Sequence, residues 1–85
     1  MIEVTSVSPQ EEYKLLLTFN TGEMRCFDMK PYLQYPVFRD LKNIIIFKKA
    51  KVQYGTVTWP NEIDIAPETL YGESFDVPAL TAASI

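Results

Sequence analysis

The sequence predicts a small α+β domain, built on a mostly antiparallel sheet with one or two short helices. Three observations carry this expectation. Tyr13-Lys-Leu-Leu-Leu-Thr-Phe19 places Tyr13, Leu15, Leu17 and Phe19 on one face, the two-residue period of a half-buried strand. Asn20-Thr-Gly-Glu23 then supplies a hairpin signal, with Gly22 available for a positive φ. Ala66-Pro-Glu-Thr-Leu-Tyr-Gly72 carries the punctuation of a helix: proline at its first position, an acid in its first turn and glycine at its exit.

From the N-terminus, residues 2–8 and 13–19 read as strands joined by an acidic turn at Pro9-Gln-Glu-Glu12. With Thr21-Gly22 as the loop, Phe19 pairs with Met24 and Leu17 with Cys26 inside, while Thr18 pairs with Arg25 and Leu16 with Phe27 outside. This register makes Cys26 an inward-facing structural thiol rather than a reactive one, since a nucleophilic cysteine needs exposure and a polarising partner. Asp28-Met-Lys-Pro31 closes the third strand, and Pro31 to Pro36 reads as an aromatic-rich turn. From Pro36 a helix fits Phe38, Leu41 and Ile45, with Asn43 interrupting it and capping a second short turn through Phe47. Ile44 to Lys48 also suits a strand by propensity; either way, its aggregation hazard argues that it is buried.

Lys51 to Trp59 alternates again, but the apolar phase moves from even positions (Val52, Tyr54) to odd ones (Val57, Trp59). A slip of one residue flips every side chain, so Gly55 must mark a bulge or a tight turn. Pro60 stops the ladder. Residues 1–72 thus form one globular domain, and residues 73–85 lose periodicity and read as a flexible tail.

Composition narrows the function by exclusion. Eighty-five residues make one domain that buries roughly 60–65% of its unfolded surface, and the 47% hydrophobic content is ample for one core. No apolar run approaches the ~20 residues of a membrane span, and the acid in Met1-Ile-Glu3 argues against a signal peptide. One cysteine forms no internal disulfide, so a cytoplasmic location is expected. The absence of histidine removes the commonest general base and metal ligand. With a net charge of −3, nucleic-acid binding ranks last, and Lys48-Lys-Ala-Lys51 reads as a solvated rim beside a buried segment.

The chemistry-bearing residues gather in Gly55 to Tyr71. Trp59, Asn61, Asp64 and Tyr71 are the candidate binding residues; no catalytic or metal-ligating residue and no cofactor is assigned. Glu62 and Asp64 share a face of an extended stretch, but a calcium loop needs more oxygens and a glycine turn. Asp64 also fits a structural role, accepting from the Ala66 N–H as an Asx-turn into the helix. Trp59 serves equally as a core anchor or a binding platform, and the five tyrosines as an interaction surface or as half-buried packing.

The order of these features resembles the bacterial family called "domain of unknown function 2442". Phe27-Asp-Met-Lys-Pro-Tyr-Leu33 and, above all, Trp59-Pro-Asn…Asp64-Ile-Ala-Pro-Glu-Thr-Leu-Tyr71 carry the likeness, which covers residues 2–71. This chain has Asn61-Glu62 where the family often has Asn-Gly, so Glu62 must tolerate that turn or change it. The resemblance implies a small α+β domain with no agreed catalytic residues, often encoded beside another small protein in an arrangement suggesting toxin–antitoxin pairs. Some members carry a following helix-turn-helix domain; this chain ends at Ile85, so DNA binding by that route is not expected. The expectation is therefore a non-enzymatic protein-interaction domain, one component of a toxin–antitoxin-like or regulatory pair, whose partner is encoded by a neighbouring gene. Homo-oligomerisation is left open. The alternative is a small-ligand-binding protein or enzyme with a site near Trp59, Asn61 and Asp64.

Overall fold

The computed structural model describes residues 1–77. Among these residues seven strands form two antiparallel sheets, giving the α+β fold expected of the sequence. The first sheet contains β1 (Val4–Gln10), β2 (Lys14–Phe19), β3 (Met24–Asp28) and β7 (Phe75–Asp76), in the order β1-β2-β3-β7. The second contains β4 (Lys51–Gln53), β5 (Thr56–Trp59) and β6 (Ile63–Ile65), in that order. Two α-helices, α1 (Ile44–Phe47) and α2 (Pro67–Gly72), accompany 3-10 turns at Glu11–Tyr13, Lys30–Tyr32 and Pro36–Lys42. The Val4 N–H donates to the Gly55 carbonyl at 2.9 Å, tying the edge of the first sheet to the tip of the second. One core draws on both: Leu15, Leu17, Phe19 and Phe27 from the first, Val57, Trp59, Ile63 and Ile65 from the second, and Phe38, Leu41, Phe47 and Leu70 from the helical segments.

The β2–β3 hairpin forms, but its register differs by one residue from the expected one. Thr18 faces Met24, Leu17 faces Arg25, Leu16 faces Cys26 and Leu15 faces Phe27. The cause is the loop. The Gly22 N–H donates to the Phe19 carbonyl and the Phe19 N–H to the Glu23 carbonyl, so Asn20, Thr21 and Gly22 form a three-residue loop with Gly22 at φ +92°. Such loops end in a left-handed residue, which glycine accepts without a Cβ penalty. The extra residue brings Phe27 into the core and turns Cys26 to the opposite face, where it is only partly buried. The inward-facing assignment of Cys26 is corrected accordingly. Burial pushes the Cys26 thiol above its ordinary value, against the opposing pull of Lys14, so it is a poor nucleophile on this face too.

From Pro36 the chain winds first as a 3-10 helix, whose three-residue period aligns Phe38 and Leu41 on the core side. Asn43 then ends that helix and caps α1, its Oδ1 accepting from the Ile45 N–H at 3.0 Å, as its sequence position foretold. The segment is helical rather than extended. Its expected burial fails in part: Phe47 is fully buried, but Ile44 and Ile45 are 39% and 65% exposed. One turn of helix has a single inward face, and Phe47 occupies it.

At Gly55 the phase change is a tight turn. Tyr54 (φ +56°) and Gly55 (φ +74°) form a two-residue loop between the paired Gln53 and Thr56, so the apolar phase reverses because the chain does. Ile63 to Ile65, read only as extended in the sequence, adds β6 to this hairpin. Beyond α2, Cys26 pairs with Phe75 and Arg25 with Asp76. The rest of the expected tail, residues 78–85, lies outside the described residues.

Candidate functional site

The solvent face of the second sheet forms an open groove of about 810 Å³. Its floor follows from strand order. β5 is central, and Thr58 pairs with Lys51 on one side and Asp64 on the other. Lys49, Lys51, Gln53 and Tyr54 therefore form one wall, and Asn61, Glu62 and Asp64 the other. The Thr58 hydroxyl donates to Gln53 Oε1 at 3.3 Å, fixing the polar floor.

Strained backbone supports both ends of this groove. At one end, Tyr54 holds a left-handed φ in the β4–β5 turn while its side chain is 92% exposed. At the other, Asn61 and Glu62 have φ of +69° and +61°, so Glu62 tolerates the left-handed conformation that glycine would enter freely. Asn61 Nδ2 donates to Asp40 Oδ2 at 3.2 Å, which fastens this turn to the Pro36–Lys42 helix. A left-handed non-glycine residue costs roughly 1–2 kcal/mol, so each position needs a compensating role.

Three of the four residues singled out in the sequence meet here. Trp59 contributes to the groove wall, but it is 3% exposed; its Nε1 donates to the Phe47 carbonyl at 3.0 Å and its ring stacks on Phe47 at 6.4 Å. It is an anchor beneath the site, and the indole offers no platform to a ligand. Asn61 sits at the strained turn. Asp64 is exposed in β6 opposite Thr58, and the Asx-turn expected of it does not form: α2 is capped by Ala66, with no side-chain hydrogen bond.

Tyr71 lies apart from the groove, packed edge-on against Phe19 at 5.1 Å. Its hydroxyl donates to Glu23 Oε1 at 2.7 Å, and the Arg25 guanidinium stands 5.2 Å from its ring centre. Arg25 also donates to Asp76 Oδ1 and to the Ser74 carbonyl, both at 2.9 Å. This cluster joins β3, α2 and β7, which is a structural task. Tyr54 is the site residue missed in the sequence. Tyr-Gly between two alternating runs was the available signal, because it marks a turn that puts an aromatic ring at a hairpin tip. Among the described residues no group of histidine, cysteine, aspartate and glutamate side chains is arranged to hold a metal ion.

The sequence profile of the family described as "Protein of unknown function (DUF2442)" matches residues 4–76. No curated protein and no solved structure matches the chain.

Proposed function

The chain belongs to the DUF2442 family, and we propose that it is a cytoplasmic, non-enzymatic protein-interaction domain, one component of a regulatory or toxin–antitoxin-like pair. Tyr54 carries this reading. An aromatic residue is a poor choice for a left-handed turn position, and at 92% exposure its ring buries almost nothing in return. A residue that breaks a local rule without stabilising the fold points to use by a partner. Tyrosine suits that use, because it brings a large, amphipathic contact at low entropic cost. The groove beside it presents charges of both signs from Lys51, Glu62 and Asp64, the polar surround that rims an aromatic anchor at protein interfaces. The resemblance to family members encoded in pairs supports a neighbouring gene product as the partner.

The test is affinity capture from source lysate with the tagged chain and its Tyr54→Ala variant, the neighbouring gene product being assayed first. A partner retained by the parent and lost by the variant is the expected result. No partner, or equal retention by both, would count against the reading. The groove volume is also within the range of small-ligand sites, which favours a second reading. Under it, a ligand that raises the melting temperature of the parent leaves that of Asp64→Asn unchanged.

A further inference from the structure

Charge in this chain is segregated. Five of its eight basic residues, Arg39, Lys42, Lys48, Lys49 and Lys51, fall within residues 39–51, where Asp40 is the single acid. The remainder of the chain holds three basic residues against ten acids. Ion pairing follows the same division. Lys14 and Lys30 lie 3.9 and 3.5 Å from Glu12, and Arg25 lies 2.9 Å from Asp76. Among the described residues, none of the five cations of 39–51 pairs with a carboxylate.

In the middle of this unpaired set stand the exposed Ile44 and Ile45. Lys48 is the C-terminal cap of α1 and Lys49 follows it directly, so two cations stand at the exit of the one-turn helix that carries the isoleucines. Lys49 also lines the groove that Tyr54 borders. Two aliphatic side chains left in water beside cations that form no ion pair among the described residues are what a complementary surface would cover, burying the isoleucines and neutralising the lysines together.

We infer that this surface, α1 with its flanking cations, docks an acidic segment of a partner protein that also carries aliphatic or aromatic side chains. The inference rests on the interaction reading above and adds the surface and the partner's chemistry. Other occupants fit less well. A phosphate backbone or an anionic lipid surface would meet the acidic remainder of the chain as well as the cations, and the isoleucines contribute nothing to phosphate contact. A two-fold contact between copies through the same face would set lysine against lysine.

The experiment uses the full chain on an array of short peptides in which acidic and aliphatic content vary independently, with solution titration of the best binders. Peptides carrying both features bind. Ile45→Ser and the double variant Lys48→Glu/Lys49→Glu each weaken binding by roughly tenfold or more while melting as the parent does. Added salt weakens the parent complex in the same direction. The inference is overturned if no peptide binds, if binding ignores these variants, or if acidic and aliphatic content do not act together. Tighter binding to a duplex oligonucleotide or to phosphatidylserine vesicles overturns it too, as does a dimer in sedimentation that Ile45→Ser abolishes. A partner captured through Tyr54 but indifferent to the α1 variants would leave the interaction reading standing and remove this surface from it.

Discussion

The Tyr71 hydroxyl and the Glu23 carboxylate share one hydrogen bond, and their titrations are linked through it. That bond, followed by the one from Thr21, holds the Glu23 carboxyl below its ordinary value of 4.5. The same bond, followed by burial, pushes the Tyr71 hydroxyl above its ordinary 10.0. A lowered acid contributes stability above its unfolded value and loses it as pH falls through the folded one. A raised group contributes below its unfolded value and loses it as pH rises through the folded one. Tyr71→Phe should therefore melt below the parent throughout the interval from 4.5 to 10.0, and the two melting curves should converge outside it. Tyr54 makes the opposite prediction. Tyr54→Asn replaces a strained residue with one that tolerates the left-handed region, so chemical denaturation should show a gain of about 0.5–1 kcal/mol. If partner capture then weakens, stability and use oppose each other at this position. Asp64→Asn should change stability by less than about 0.5 kcal/mol, because the exposed carboxylate caps nothing. A loss near 1 kcal/mol would restore the turn-capping role.

At the scale of elements, the short helices depend on identifiable ends and anchors. Asn43 terminates a 3-10 helix and starts α1, so Asn43→Ala should cost about 1 kcal/mol in denaturant unfolding. Trp59 is the larger dependency. It holds α1 against β5 through its bond to the Phe47 carbonyl and its stack on the Phe47 ring. Trp59→Ala should therefore cost about 3–5 kcal/mol, enough to threaten folding in a domain this small. These elements were legible to different degrees. The Asn43 cap, the Pro67 helix start and the Gly55 turn each rest on local chemistry, and local chemistry can be read in order along the chain. The β2–β3 register could not be read in this way. Met24 and Cys26 are the more apolar choice for the inner face, but the three-residue loop places Arg25 and Phe27 there instead. Arg25 is accepted because Tyr71, Ser74 and Asp76, some fifty residues away, receive its guanidinium.

Across the whole molecule, two sheets share one core, while charge divides along the chain into a basic, partly apolar stretch at residues 39–51 and an acidic remainder. Alternation, turn residues and helix punctuation determined by themselves that the chain is a small antiparallel α+β domain, where most of its strands lie, and that the chain turns at Gly55. Each of these depends on neighbours in sequence, through backbone dihedral preference and side-chain periodicity. Tertiary structure alone decided the remainder: which face of β3 is buried, that Trp59 points inward, that Ile44 and Ile45 stay in water, and that among the described residues five cations form no ion pair while the other three do. These outcomes depend on which distant groups arrive to fill a core position or accept a charge. A periodic pattern gives each strand or helix its faces, and only packing decides what covers them.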